Sequence, residues 1–358
     1  MNPPPRPITV LVVDDSGVSR ELLARVLTSE PGLEVIGYAC NGEEALAMAA
    51  EKNPDVVTMD IHMPGLDGFE TTRRIMESQP RPIVIVSANF TRDDVPKMLR
   101  ALEAGAVAAV EKPPGPGSPA HARLAREFID TVRAMAEVRV IRRWPRGRSG
   151  AQRPECPPAP PAHGPLRLVV VGASTGGPPA LQRMLAGLPK PCPVPVVIVQ
   201  HISAGFIEGL ADWLTASTGL PTRLAQHGEL APAGTALLAP DGLQTAVSRD
   251  GRIICQPEPA EHGLRPAVSF LFRATAQNFG ARAAGVLLTG MGRDGAEELK
   301  LMRDAGAVTL AQDQESSIIH GMPGEAIRLG AATHIGSPER LAALLHTMLT
   351  PLLPHPSP

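Results

Sequence analysis

The sequence predicts two α/β units in tandem, each built on a mostly parallel sheet. Three observations carry this. Short apolar strands alternate with helical patterns along most of the chain. Hydrophobic residues make up 43% of it and aromatics only 3%, so the cores are Val, Leu, Ile and Ala, as in sheets buried on both faces. One stretch rich in proline and arginine interrupts the rhythm near the middle, and 358 residues are more than one compact domain usually holds.

The first unit, residues 6–141, has strands at "ITVLVV", "EVIGYA", "DVVTM", "PIVIVS" and "VAAVEK", with helical stretches between them. This is a five-stranded parallel (βα)5 domain. Ser118 and Pro119 read as an N-cap and first-turn proline of a long closing helix, on which Leu124, Phe128, Ile129, Val132 and Met135 recur at helical spacing. Residues 142–165, "RRWPRGRSGAQRPECPPAPPAHGP", are incompatible with a packed element and read as a solvated linker. In the second unit, 166–350, strands recur at "RLVVVG", "VPVVIVQ", "TALLAP", "AGVLLTG" and "AVTLAQ". The segment "QTAVSRDGRIICQ" alternates around Asp250-Gly251 and predicts a β-hairpin laid onto this doubly wound, mostly parallel sheet.

A formal net charge of −2 argues against a nucleic-acid-binding protein, which needs a concentrated basic face. Cys40, Cys156, Cys192 and Cys255 are scattered without a C-x-x-C pair, so neither a zinc site nor a disulfide framework is expected. The apolar run near the start stops at two aspartates, and no run approaches a membrane span of about 18 residues. The expectation is a soluble cytoplasmic protein with no membrane insertion.

Side chains at the carboxyl ends of parallel strands line the functional crevice. In the first unit those ends carry Asp14, Asp15, Asp60, Ser87 and Lys112. Clustered carboxylates repel unless a hard cation such as Mg²⁺ neutralises them; a lysine adds a counter-charge for a phosphoryl group, and an aspartate held there can carry an acyl phosphate. Any one aspartate could instead cap the next helix. With these residues on the page, "LVVDDS", "TMDIHMPGLDG", "VSA" and "EKP" resemble the receiver domain of bacterial response regulators. The resemblance implies that Asp60 is the phosphoacceptor, that Asp14, Asp15 and Asp60 hold Mg²⁺, and that Ser87 and Lys112 contact the phosphoryl group. Receivers commonly have an aromatic residue where this chain has Ala108 and Ala109.

In the second unit "GASTGG" is a glycine-rich strand-to-helix turn. It lacks the G-x-G-x-x-G spacing of a dinucleotide loop, and the next strand delivers His201 where an acidic ribose ligand would stand. As a nucleophile's turn it fits: Ser174 attacks, His201 ends the following strand as its base, and Asp294 in "LLTGMGRDGA" orients the histidine. Each has a plainer role available, Ser174 and Asp294 as helix caps and His201 as an ordinary crevice side chain. "GASTGG", "VQHIS", "LRPAVSFLFR", "TGMGRDGA" and "AQDQESSIIHGMPGEA" together resemble the catalytic domain of the chemotaxis protein-glutamate methylesterase family, CheB, whose members carry an N-terminal receiver.

That resemblance implies a phosphorylation-activated serine esterase with catalytic Ser174, His201 and Asp294, and with Thr175 and the backbone around Met291 as oxyanion or substrate contacts. It implies glutamate γ-methyl esters on chemoreceptors as substrate, deamidation of receptor glutamines, a chemotaxis sensor histidine kinase as phosphodonor, Mg²⁺ in the receiver and no cofactor for the ester reaction. Two positions depart from the family pattern: Gln244 where a histidine is usual nearby, and Ser269 where an aspartate follows the valine. A phosphorylation-dependent binding switch without catalysis, and a DNA-binding regulator, are the rival classes; the intact Ser174, His201 and Asp294 and the lack of a basic helix-turn-helix speak against them.

Overall fold

The computed structural model describes residues 6–87, 94–138, 165–203 and 205–352. Apart from Pro165, the expected linker lies outside them. By its internal contacts the chain divides into two compact units, residues 1–150 and 151–358.

The first unit alternates β1 (Ile8–Val13), α1 (Gly17–Thr28), β2 (Leu33–Ala39), α2 (Gly42–Lys52), β3 (Val56–Met59), α3 (Gly68–Ser78), β4 (Ile83–Ser87), α4 (Asp94–Ala104), β5 (Ala108–Glu111) and α5 (His121–Ala136). The five strands are all parallel, in the order β2-β1-β3-β4-β5. Val10 to Val13 are buried, as a strand covered by helices on both faces requires. Helix starts follow from short polar side chains: Ser16 accepts from Ser19 N, Asn41 from Glu44 N and Asp67 from Glu70 N. Helix α5 buries Leu124, Phe128, Ile129, Val132 and Met135 as expected. Its N-cap is Ala120, without a side-chain bond, because Ser118 Oγ is taken up by Ala120 N in the turn before the helix. The first helical residue therefore lies two positions beyond the expected first-turn Pro119.

The second unit runs β6 (Leu168–Ala173), α6 (Gly177–Ala186), β7 (Val196–Gln200), α7 (Ile207–Thr218), β8 (Thr222–Leu224), β9 (Ala236–Leu238), β10 (Gln244–Val247), β11 (Ile253–Gln256), α8 (Val268–Phe279), β12 (Ala283–Leu287), α9 (Ala296–Asp304), β13 (Val308–Gln312), α10 (Met322–Arg328), β14 (His334–Gly336) and α11 (Pro338–Leu349). Seven strands form one parallel sheet in the order β14-β13-β12-β6-β7-β9-β8. The chain leaves β6 toward β7 and later returns to β12 on its other side, so the switch point falls at the end of β6.

The hairpin forms where expected but does not join that sheet. Strands β10 and β11 pair only with each other, antiparallel, and Val247, Ile253 and Cys255 pack into one core with Val268, Leu271 and Phe272 of α8. Its apolar face is satisfied by the helix. The turn is longer than Asp250-Gly251 alone: Gly251 N donates to Ser248 O and Gly251 takes a φ of 88°, the left-handed residue of a three-residue loop. Among the described residues no helix is long and apolar enough to cross a membrane.

Candidate active site

Two crevices form, each at the carboxyl ends of its own sheet. In the first unit Asp14 and Asp60 follow β1 and β3, which are paired neighbours. One ligand atom each from Asp14, Asp15 and Asp60 lie within 4.8 Å of one another. Lys112, just past β5, reaches both buried carboxylates, with Nζ 2.5 Å from Asp14 Oδ2 and 3.4 Å from Asp60 Oδ2. Burial, and next the neighbouring Asp14 charge, push the Asp60 carboxyl up, while Lys112 and the Ile61 N–H pull it back; the net shift is upward. One lysine does not neutralise three carboxylates. The oxygen-only donor set and the surplus negative charge fit a hard divalent cation.

Ser87 is buried at the end of β4. A cleft of about 290 Å³ opens beside the cluster, lined by residues including Asp15, His62, Asp67, Phe69 and Arg100. A side chain on Gly68, at the start of α3, would collide with the Asp60 carbonyl, so glycine lets that helix close on the site. Gly68 closes the quoted "TMDIHMPGLDG", although the sequence does not say that its lack of a side chain is what matters there.

In the second unit Ser174 follows β6 and His201 follows β7; Ala173 and Gln200 are register partners, and His201 N donates to Ala173 O at 2.9 Å. On the other side of β6, Ser174 N donates to Thr289 O at 3.0 Å, just beyond β12. A Cβ on Gly290 would stand 2.7 Å from Ser174 Cβ, so only glycine lets the two turns meet. The imidazole presents Nε2 to Asp294 Oδ2 at 3.0 Å. Its N–H direction lies off the line to the oxygen, which makes this a close polar contact rather than an aligned hydrogen bond.

Asp294 is 3% exposed, and it does not cap its own helix. The N-cap of α9 is Gly295, and the Asp294 carboxylate instead accepts from Val268 N at 2.6 Å and Ser269 N at 3.0 Å, at the amino end of α8. Burial alone would raise this carboxyl; the His201 contact and the Ser269 side chain, with its N–H, outweigh it and hold the pKa below the usual value. Ser269 adds a second tie, since its hydroxyl donates to Glu298 Oε2 at 2.7 Å and accepts from Gly295 N at 3.0 Å. Gln244 secures the entry to α8: its amide donates to Pro259 O and Leu264 O and accepts from Ala267 N. Gln244 and Ser269 thus both bear on the helix end that holds the Asp294 carboxylate. Thr175 is half-buried next to Ser174, and Met291 is 52% exposed on the Thr289–Gly295 turn.

The residues that sequence reasoning missed are uncharged. Gln200, Thr289 and Gln312, all buried, tie the strand-end turns together through backbone carbonyls and amides. All three stand inside "VQHIS", "TGMGRDGA" and "AQDQESSIIHGMPGEA", but an uncharged side chain suggests no chemistry of its own.

The class these observations define is a receiver in series with an α/β unit whose crevice gathers serine, histidine and aspartate. Comparisons with known proteins agree. Residues 169–345 match the family model described as CheB methylesterase, and residues 10–118 match that of the response regulator receiver domain. The protein-glutamate methylesterase/protein-glutamine glutaminase 4 of Geobacter metallireducens is 52% identical over 95% of this chain and 99% of that one. Its counterpart from Nitrosospira multiformis is 50% identical over 96% and 97%. The crystal structure of the Thermotoga maritima CheB methylesterase catalytic domain is 30% identical, covers 51% of this chain and 98% of that one, and has a TM-score of 0.49. The chain belongs to the CheB family of protein-glutamate methylesterases/protein-glutamine glutaminases.

Proposed function

We propose that this chain is a phosphorylation-activated serine esterase that hydrolyses glutamate γ-methyl esters on chemoreceptors, and deamidates receptor glutamines, in chemotaxis adaptation. One observation carries the assignment of residues: His201 lies 3.0 Å from Asp294, and its backbone N–H bonds Ala173 O, next to Ser174, at the same end of the sheet. In this reading Ser174 Oγ attacks the ester carbonyl and its proton passes to His201. Because Nε2 faces Asp294, Nδ1 is the nitrogen that exchanges the proton. The buried Asp294 carboxylate stabilises the imidazolium so formed.

N–H groups near Thr175 and Met291 are the proposed donors to the oxyanion of the tetrahedral intermediate. His201 then protonates the methoxide, methanol departs, and water attacks the acyl-serine with His201 again as base. The products are glutamate and free Ser174. With a glutamine side chain the leaving group is ammonia.

In the receiver, Asp60 is the proposed phosphoacceptor, taking a phosphoryl group from the pathway's sensor histidine kinase. Asp14, Asp15 and Asp60 would hold Mg²⁺, which when bound neutralises charge on the phosphoryl oxygens. Lys112 Nζ lies between the two buried carboxylates, where it can pair with an incoming phosphoryl oxygen, and Ser87 is the proposed hydroxyl contact. The proposed setting is the cytoplasm, which the free Cys40, Cys192 and Cys255 among the described residues support. The test is methanol release from methyl-labelled receptor membranes: the wild type releases it, and Ser174→Ala does not. Equal release from both would remove Ser174 from the mechanism.

A further inference from the structure

The Ser174–Thr175 turn is gripped from two sides by side chains that carry no charge. On one side Gln200 donates its amide protons to Ser174 O at 2.8 Å and His201 O at 2.7 Å. On the other, the Thr289 hydroxyl, fully buried, lies 3.0 Å from Thr175 O and 3.0 Å from Ile319 O, and accepts from Ile319 N at 2.9 Å. A hydroxyl has one proton, so the two carbonyls share it, and the oxygen is saturated by three partners. Thr289 is itself anchored. Its N–H donates to Gln312 Oε1 at 2.8 Å, and its carbonyl accepts from Ser174 N.

The second loop in this knot is Ser316–Met322. Gln312 Nε2 holds Ser316 O at 2.8 Å, Gly290 N donates to Ile319 O at 3.0 Å, and Gly321 N and Met322 N both donate to Gly290 O. A Cβ on Gly176 would meet Ile318 at 2.5 Å, so this loop also packs against the Ser174 turn. The Thr289 hydroxyl is the one side-chain atom among the described hydrogen bonds that joins the Ser174 turn directly to this loop.

We propose that Thr289 is a positioning residue for the nucleophile, its hydroxyl locking the Ser174–Thr175 turn against Ser316–Met322. This rests on the reading of Ser174 as nucleophile. Thr289 has no proposed contact with substrate, so its effect falls on how well Ser174 Oγ is aimed at the carbonyl and not on how tightly receptor binds. A misplacement of about 1 Å at a reacting atom costs roughly a hundredfold in rate.

The test compares Thr289→Val, which swaps the hydroxyl for a methyl at nearly constant shape, with Thr289→Ser, which keeps the hydroxyl. Both are assayed by methanol release from methylated receptor membranes, alongside wild type and Ser174→Ala. The expected result is a fall in kcat of about 30- to 100-fold for Thr289→Val with KM within about twofold, and recovery to within about threefold of wild type for Thr289→Ser. Amide exchange should speed up in peptides covering residues 174–177 and 316–320 of Thr289→Val. Should Thr289→Val fail to fold, Thr289→Cys, a weak donor of similar size, carries the test, with a kcat between those of wild type and Ser174→Ala. Unchanged kcat in a folded Val or Cys variant, or a loss in Thr289→Ser equal to that in Thr289→Val, overturns the proposal. If the wild type releases no more methanol than Ser174→Ala, the esterase reading fails and this inference falls with it; an active wild type with an equally active Thr289→Val sinks the inference alone.

Discussion

Asp60, directly after β3, and Asp294, in the turn between β12 and α9, are both buried, yet their carboxyls are pushed in opposite directions. Asp60 sits among like charges, with two more carboxylates close by and Lys112 reaching it and Asp14. Asp294 is alone among donors: two N–H groups at the amino end of α8 point at it and His201 lies against it. In the proposed reading the first crevice keeps a surplus of negative charge that a cation and a phosphoryl group would meet. In the second the carboxylate is held by hydrogen bonds that favour its ionised form. On the proposed function the two parallel sheets thus carry one site that waits for a signal and one poised for chemistry, and the difference lies in what surrounds one aspartate.

The largest expected effect breaks the second site. Ser174→Ala should lower methanol release by about 10⁴-fold or more while leaving Asp60 phosphorylation at the wild-type level. A variant within tenfold of wild type would show that the crevice works without its serine. Next, Asp294→Asn should cost about 10³-fold, because a neutral amide neither stabilises the imidazolium nor suits both α8 N–H groups. Near-normal turnover would leave Asp294 as no more than a cap for α8.

The same variant sharpens the electrostatic contrast. A carboxyl whose folded pKa lies below its unfolded value contributes stability that is full above about pH 3.9 and is lost as pH falls through the folded value. Acid unfolding of the second unit should therefore be less steep in Asp294→Asn than in wild type. Identical profiles would mean that Asp294 is not held ionised by the fold.

For Asp60 the sign reverses. Its folded pKa is raised, so stability falls as pH climbs from the unfolded value toward the folded one, and the ionised form is a burden at neutral pH. Asp60→Asn should make methanol release unresponsive to a phosphodonor. In EDTA it should also shift the first unit's calorimetric transition upward by a few degrees, the smallest of these effects. A downward shift would show that Lys112 already compensates the cluster.

Much of this was legible in the sequence, for a physical reason. Parallel strands are apolar runs, so a polar residue where a run stops is conspicuous, and Asp60, Ser174 and His201 all stand there. What escaped lacked such contrast. Strands β8 and β14 are three residues long, too short to show a period. The hairpin alternates correctly, but alternation does not say what its apolar face will cover, and here it covers α8. The partners of Asp294 lie 25 and 26 positions away, on the backbone of a helix end, where no side-chain motif records them. Thr289 and Gln200 act through carbonyls, which every residue possesses.

The most direct measurement joins the two crevices: methanol release from methyl-labelled receptor membranes by the full chain with Mg²⁺, with and without a small-molecule phosphodonor, in wild type, Asp60→Asn and Ser174→Ala. The expected pattern is release by the wild type that rises with phosphodonor, release by Asp60→Asn that does not rise, and none by Ser174→Ala. Release by the wild type no greater than by Ser174→Ala, or an equal rise in wild type and Asp60→Asn, would contradict a Ser174 esterase controlled through Asp60.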